Sequence, residues 1–221
     1  MTNDLVVGIL GGTGDQGRGL AYRLARAGQR TVIGSRDAER AQAAARDIAA
    51  LPGVTATVEG ADNEQAARLS DVVIVAVPWD AHAQTLGPLA PALAGKIVVD
   101  CVNPLGFDDK GPFALPVPEG SAAQQAAVLL PDARVCAAFH HVSAVLLLDP
   151  VVEQFDLDVL VLGDDREAVA TVVALAGLIP GMRGVHAGRL RNAGQVEALT
   201  ANLIAINRRY KAHSGVRITD V

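Results

Sequence analysis

An α/β fold built on a doubly wound parallel sheet follows from three features of this 221-residue chain. Strands alternate with helices along most of its length. A glycine-rich turn, Gly11-Gly12-Thr13-Gly14-Asp15-Gln16-Gly17, joins the first strand to the first helix. In mid-chain, Asp71-Val72-Val73-Ile74-Val75-Ala76-Val77-Pro78 is a continuous apolar strand, the pattern of a parallel strand covered by helices on both faces. These features together predict a Rossmann-type sheet with its first six strands in the order 3-2-1-4-5-6, followed by a small C-terminal α/β lobe.

The first strand spans Leu5 to Leu10, and the helix that follows the glycine turn runs from Gln16 to Ala27. Thr31 to Ile33 is the second strand. An alanine-rich helix, Ala38 to Leu51, ends at Pro52-Gly53, and Val54 to Val58 reads as the third strand. A short helix (Asp62 to Leu69) leads into the fourth strand, and a helix over Trp79 to Leu93 into the fifth, Lys96 to Asp100. A Gly/Pro-rich loop (Pro104 to Gly120), a helix (Ala122 to Leu130) and a sixth strand (Arg134 to Phe139) complete a nucleotide-binding domain over residues 1–144. Residues 145–221 form the lobe. It contains a short segment ending at Leu148, a strand (Leu157 to Leu162), a helix (Glu167 to Leu178), a brief strand (Met182 to Val185), a long helix (Leu190 to Ala212) and an extended tail, Val216 to Thr219. The long helix carries Val196, Leu199, Leu203 and Ile206 as an apolar stripe, which suits core packing first and a dimer face second.

A formal charge of -5 and a pI near 5.5, with no basic cluster, argue against a nucleic-acid partner. Charges, Pro or Gly interrupt every apolar run before membrane-spanning length, and the chain enters a strand too early for a signal peptide, so a cytoplasmic, membrane-free protein is expected. Cys101 and Cys136 lie in apolar strands outside any metal-binding array and read as buried thiols. Arginine greatly outnumbers lysine, which weakens the weight of any single arginine.

In a βαβ unit, Gly12 is expected to make the tight turn, Gly14 to let the backbone approach a pyrophosphate and Gly17 to let helix pack on strand. The helix start at Thr13, Asp15 and Gln16 supplies free N–H groups and the positive end of the dipole. Where an NAD-binding chain places a carboxylate, this one reads Gly34-Ser35-Arg36. Ser35 and the guanidinium of Arg36, with Arg40 one turn further, suit the 2′-phosphate of NADP(H). Ligands in such sheets lie beyond the carboxyl ends of the strands. That rule selects Val77-Pro78-Trp79, Asn103-Pro104 and His140-His141-Val142-Ser143-Ala144. Acid/base chemistry by His140 or His141 competes with a satisfied loop contact, and Trp79 is either a ligand wall or a packing residue. Asp164-Asp165 suits a helix cap better than a metal. No nucleophile elbow or metal array is present, which fits hydride exchange between two flat rings.

The stretches GGTGDQGRGLAYRLARAGQRTVIGSR, VPWDAH, VNPL, AAFHHVSA, VLGDD and AGRLRNAGQVEALTANLIAIN resemble, in this order, the NADPH-dependent reductases of the deazaflavin coenzyme F420. The resemblance covers essentially the whole chain. It implies reversible hydride transfer between nicotinamide C4 and deazaflavin C5, with no metal and commonly a homodimer; the chemistry itself needs no catalytic side chain. By position, Thr13 approaches the phosphates, Ser35, Arg36 and Arg40 the 2′-phosphate, and the loop His140 to Ala144 lies between the two rings. Ser143 stands where the family pattern has proline, and His141 where it has a small polar residue. Two other readings compete: an NADP-linked dehydrogenase or imine reductase of a small metabolite, and a non-catalytic NADP sensor or electron-input module.

Overall fold

Strand β1 (Val7–Leu10) lies at the centre of the sheet, paired in parallel with β2 (Thr31–Ser35) on one side and β4 (Val72–Val75) on the other. The computed structural model describes residues 4–221. Alternation along the strands feeds two cores: Val7, Ile9, Ile33 and Ile74 face one helical layer, and Leu10, Val32, Val73 and Val75 the other. That division is the physical counterpart of the unbroken apolar runs. Outward from β2 comes β3 (Val58–Asp62); outward from β4 come β5 (Ile97–Asp100) and β8 (Arg134–Ala137). The order β3-β2-β1-β4-β5-β8 is the predicted 3-2-1-4-5-6.

Helices α1 (Asp15–Arg26), α2 (Ala38–Ala49) and α3 (Asn63–Leu69) connect the first strands. Asp37 caps α2 by accepting from Glu39 N and Arg40 N, and Asp62 caps α3 by accepting from Gln65 N. Four expectations need correction. The third strand is not Val54 to Val58 but starts at Val58. The preceding VTAT stretch bridges α2 to the sheet, with Ala56 N donating to Ala25 O at 3.3 Å. The helix expected over Trp79 to Leu93 is broken into a single turn (Trp79–Ala81), α4 (His82–Leu86), a second turn (Gly87–Leu89) and α5 (Ala90–Leu93), because Pro88 and Pro91 remove backbone donors. The loop after Pro104 contains an antiparallel hairpin, β6 (Leu105–Asp108) and β7 (Gly111–Ala114). The sixth strand ends at Ala137, short of Phe139.

Beyond α6 (Ala122–Leu129), β8 and α7 (Ala144–Leu148), the strands β9 (Leu157–Gly163) and β10 (Met182–His186) extend the same sheet, β9 running antiparallel to β8. Helices α8 (Arg166–Ala176) and α9 (Ala193–Tyr210) pack beside them. The tail folds back on β9. Asp158 N donates to Val216 O at 2.7 Å, and the Asp158 carboxylate accepts from Arg183, Arg217 and Ile218 N. The Arg183 hydrogen bonds, acting against burial, bring the Asp158 carboxyl down to about 2. On the opposite side of the sheet Arg23 of α1, 2% exposed, donates to the carbonyls of Leu146, Leu147, Asp149 and Val152 at 2.6–2.7 Å. One guanidinium thereby closes the carboxyl end of α7 on α1.

Candidate functional site

The turn between β1 and α1 is shaped by four glycines with separate duties. Gly11 has φ +72°, and a Cβ there would lie 2.7 Å from Ala76 O. The left-handed turn residue is therefore Gly11, where the sequence pointed to Gly12. Gly12 is constrained by contact instead: a Cβ would sit 2.8 Å from Ile33 Cγ2 and Ile9 O. At Gly17 it would sit 2.7 Å from Gly12 Cα, so helix and turn touch there. Gly14, the N-cap of α1, has nothing nearer than 3.5 Å. Gly11 and Gly14 both line the cleft, and Gly14 is the one of the four at which a Cβ would meet nothing closer than ordinary contact distance.

That cleft, about 480 Å³, brings together Thr13, Gly14, Asp15, Gln16, Ser35, Arg36, Arg40, Val77 and Pro78. Ser35 is buried, while Arg36 and Arg40 are exposed and paired with no carboxylate among the described residues. Two cations beside a buried hydroxyl, with no acid at the strand end, form a receptor for a phosphate ester. These groups, with the open cradle over Gly14, fit an adenine dinucleotide bearing a 2′-phosphate. Asn63 joins this cleft, its Oδ1 buried without a protein partner.

The groove continues past the strand ends. Gln16, Val77 and Pro78 also line a second cleft of about 240 Å³ with Trp79, Cys101, Val102, Asn103 and His140. Gln16 Nε2 donates to Phe139 O at 3.3 Å, tying the phosphate turn to the histidine loop. His140 lines a third cleft as well, about 260 Å³, with His141, Val142, Ser143 and residues of α9 and the tail. Pro104 stands apart from all three: its carbonyl accepts from Leu115 N at 2.9 Å and starts the hairpin. Ala144 is the first residue of α7 and lines none of them. From sequence, Thr200, Ile204, Asn207, His213 and Ser214 carried no site signal and Leu203 read only as part of an apolar stripe, because α9 reaches the loop only through tertiary packing.

The histidine loop is held from several sides. Phe139 has φ +64°, a strained position for a bulky residue. The His140 carbonyl accepts from Asn103 Nδ2 at 2.8 Å and Thr200 Oγ1 at 3.1 Å. Both histidines are buried, and burial brings each down to about 4, so both rings are neutral near pH 7.

Behind the second cleft lies a buried polar network. His82 Nε2 meets Asp100 Oδ2 at 2.7 Å and Nδ1 meets Gln125 Oε1 at 2.9 Å. Gln125 donates its amide NH₂ to Glu119, which turns Oε1 toward His82. Burial disfavours charge on His82, yet its acceptors on both sides, Asp100 above all, outweigh that and raise its pKa. Asp100 Oδ1 accepts from Val102 N at 3.0 Å, so the network braces the strand end that carries Asn103. Trp79 packs against His82 with ring centroids 5.5 Å apart while also walling the cleft. Glu197 of α9 caps α6 by accepting from Ala122 N at 2.8 Å and Ala123 N at 3.2 Å. Burial, aided by the charge of Asp100, lifts the Glu197 carboxyl to about 7 against those donors.

Comparison with known proteins identifies a family. The sequence profile of the family described as NADP oxidoreductase coenzyme F420-dependent matches residues 6–104. An F420-dependent NADP reductase of Methanothermobacter thermautotrophicus is 40% identical over 97% of this chain and 95% of its own length. One from Methanocaldococcus jannaschii is 39% identical over 97% and 98%. A solved chain from Arthrobacter sp. FB24, provisionally described as an F420-dependent NADP reductase, superposes with a TM-score of 0.78 at 28% identity, covering 97% of this chain and 99% of that one.

Proposed function

The chain belongs to the family of coenzyme F420-dependent NADP oxidoreductases, and from that premise we propose that it moves a hydride reversibly between the two cofactors along the groove described above. It is an oxidoreductase whose substrates are NADP(H) and coenzyme F420. The chemistry supplied by the bound pair is a two-electron exchange between nicotinamide C4 and deazaflavin C5, which requires close stacking and exclusion of water.

The observation that carries this reading is the continuity of the groove from Ser35 and Arg36, past Gln16, to the loop after Phe139. Residues Gly12 to Gly17 hold the pyrophosphate, and Ser35, Arg36 and Arg40 the 2′-phosphate. Val77, Pro78, Trp79 and Asn103 border the nicotinamide. Pro104 shapes that strand end from behind, and His140 to Ala144 set the approach of the deazaflavin. Residues 1–144 supply the dinucleotide site; residues 145–221 complete the acceptor site through α9 and the tail. No side chain needs to carry a proton to or from the reacting carbons. We further assign the protein to the cytoplasm as a homodimer acting on small molecules, without a nucleic-acid partner. Ile206 and Tyr210 of α9 stay exposed and are available to a second copy. Among the described residues no helix is long and apolar enough to cross a membrane.

The test is anaerobic mixing of the protein with NADPH and oxidised deazaflavin, with NADH and FMN as controls. Bleaching of the deazaflavin absorption with NADPH alone is expected. NADPH binding without bleaching would move the assignment to a sensor or to a different acceptor.

A further inference from the structure

We propose that His82 and Asp100 are positioning residues for the hydride transfer: together they trap one proton as a buried imidazolium–carboxylate brace between the loops after β4 and β5, and the separation of the two walls of the second cleft depends on that proton staying in place. This rests on the function assigned above. Neither residue lines a cleft, so each acts only through the walls it holds.

The motivating observation is a proton count. His82 and Asp100 are both fully buried, and both ring nitrogens of His82 face oxygen, Asp100 Oδ2 at 2.7 Å and Gln125 Oε1 at 2.9 Å. The Gln125 amide is held in that sense, because its Nε2 donates to Glu119 Oε2 at 3.3 Å. The second oxygen of Asp100 accepts from Val102 N at 3.0 Å. A neutral imidazole has one N–H and one lone pair, so one of its two contacts would set lone pair against lone pair. The arrangement is complete only with one proton more than a neutral ring and a carboxylate carry between them. A carboxyl is ordinarily the stronger acid of the two, which places that proton on the ring. His140 and His141, also buried, have no such acceptors among the described residues, and burial keeps them neutral.

The pair is built across the cleft. Asp100 ends β5, and its bond from Val102 N fixes the turn that carries Val102 and Asn103 into one wall. His82 opens α4, three residues after Trp79, and the two rings lie 5.5 Å apart at 34°. Trp79, with Val77 and Pro78, forms the other wall. The 2.7 Å contact of His82 with Asp100 therefore ties one wall to the other. A cationic ring also suits the indole better than a neutral one does.

The surroundings favour the trapped proton. The acids facing the ring are Asp100 from β5, Glu197 from α9 and, through Gln125 of α6, Glu119; beyond Asp100 lie the neutral His140 and the protonated thiol of Cys101. Burial opposes the charge, yet the pKa of His82 is raised. Glu197 adds negative charge as it ionises near pH 7 and strengthens the hold. Loss of the proton at higher pH leaves one N–H for two acceptors, so one contact opens and a wall is released. Reacting carbons must approach to roughly 3–3.5 Å, and a misplacement of about 1 Å costs on the order of 100-fold in rate. The brace exchanges no proton with either cofactor.

Two readouts test this. In cofactor-free wild-type protein labelled with ¹⁵N-histidine, the His82 ring should carry protons on both nitrogens at pH 7, while His140 and His141 each carry one. In single-turnover mixing of NADPH with oxidised deazaflavin, the rate should fall about fivefold or more as pH rises through the value at which the labelled His82 ring loses its second proton. His82→Leu should slow transfer about tenfold or more and change NADPH affinity by less than about threefold. Asp100→Asn offers an N–H to His82 Nε2 and keeps an oxygen for Val102 N, so a neutral ring then completes the network. That variant should recover most of the rate and abolish the alkaline fall. A His82 ring with one N–H at pH 7 overturns the proposal, as does an alkaline fall that persists in Asp100→Asn or a folded His82→Leu that transfers at the wild-type rate. Should the variants fail to fold, the wild-type protein decides, and a rate that does not follow the titration of His82 overturns the proposal. Wild-type protein that transfers no hydride overturns the functional assignment, and the proposal with it; active protein with a neutral His82 overturns the proposal only.

Discussion

Arg36 and Arg23 show how differently two arginines act in one chain. Arg36 is exposed, unpaired and beside Ser35, so its energy is released only when a phosphate arrives. A charge-assisted hydrogen bond contributes about 1.5–3 kcal/mol, or roughly 10- to 150-fold in affinity. Arg36→Ala should therefore weaken NADPH by that factor and leave NADH within about twofold, measured by fluorescence titration of both; equal losses would remove the 2′-phosphate assignment. Arg23 is buried beneath four carbonyls and between the rings of Tyr22 and Phe155, each about 5.0 Å away. Burial lowers its pKa, and among the described residues no carboxylate lies within bonding distance to offset that. Arg23→Leu strands those acceptors, and a loss of about 3 kcal/mol or more is expected, seen as a fall in Tm on the order of 10 °C. Sequence made Arg36 visible because its neighbours Gly34 and Ser35 sit at a fixed distance from the glycine turn. Arg23 was invisible, since its partners lie more than 120 residues away.

At the scale of elements, local pattern located nearly every strand and helix, and failed where packing overrode propensity. The β-branched stretch before Val58 has strand character, yet the sheet pairs β2 with Val58 to Asp62, matching Thr31 to Val58 and Ser35 to Asp62. The reason is Gly60: a Cβ there would lie 2.4 Å from the backbone of Ala41 in α2, so only this register brings helix and strand into contact. Gly60→Ala must push α2 outward. Overpacking of this kind costs about 1–3 kcal/mol, a Tm decrease of roughly 2–12 °C at this chain length. Because α2 carries Arg40, the same variant should raise KM for NADPH more than for NADH. An unchanged Tm would show that α2 is not seated on β3 in this way. The broken helix after Trp79 is another miss. Its prolines were in plain sight, but only the fold reveals their result, a short helix whose His82 reaches Asp100.

The whole molecule sums its buried titratable groups into a pH response. His140 and His141 are lowered from 6.5 to about 4, so their stabilisation is complete above pH 6.5 and drains away as pH falls toward 4. Glu197 runs the other way: raised from 4.5 to about 7, its contribution is full below 4.5 and lost as pH climbs to 7. Between these limits two histidines on the unfolded chain outbid one carboxyl on the native chain, so stability rises with pH up to about 6.5. Beyond that, Glu197 and the raised His82 both weaken it. Tm scans at about pH 5, 6 and 7 should place the maximum between the last two, and Glu197→Gln should flatten the neutral side. A maximum at the acid end would refute this balance. The order of the first six strands was legible across the whole chain because each glycine turn and apolar run is local. The way β9 reverses against β8, and the way α9 closes the third cleft, are tertiary facts with no local trace.

The two native thiols are sealed: Cys101 is buried with its thiol pushed far up by burial, and Cys136 is pushed up to about 12 by the same cause. Neither thiolate forms near neutrality, so maleimide chemistry meets a silent background. A cysteine introduced at Val151, 83% exposed and one residue before the Val152 carbonyl that Arg23 grips, is then the single labelling point on the molecule. A dye there would report, in real time and without a cysteine-free scaffold, how the segment anchored to the phosphate-binding helix responds as each substrate enters.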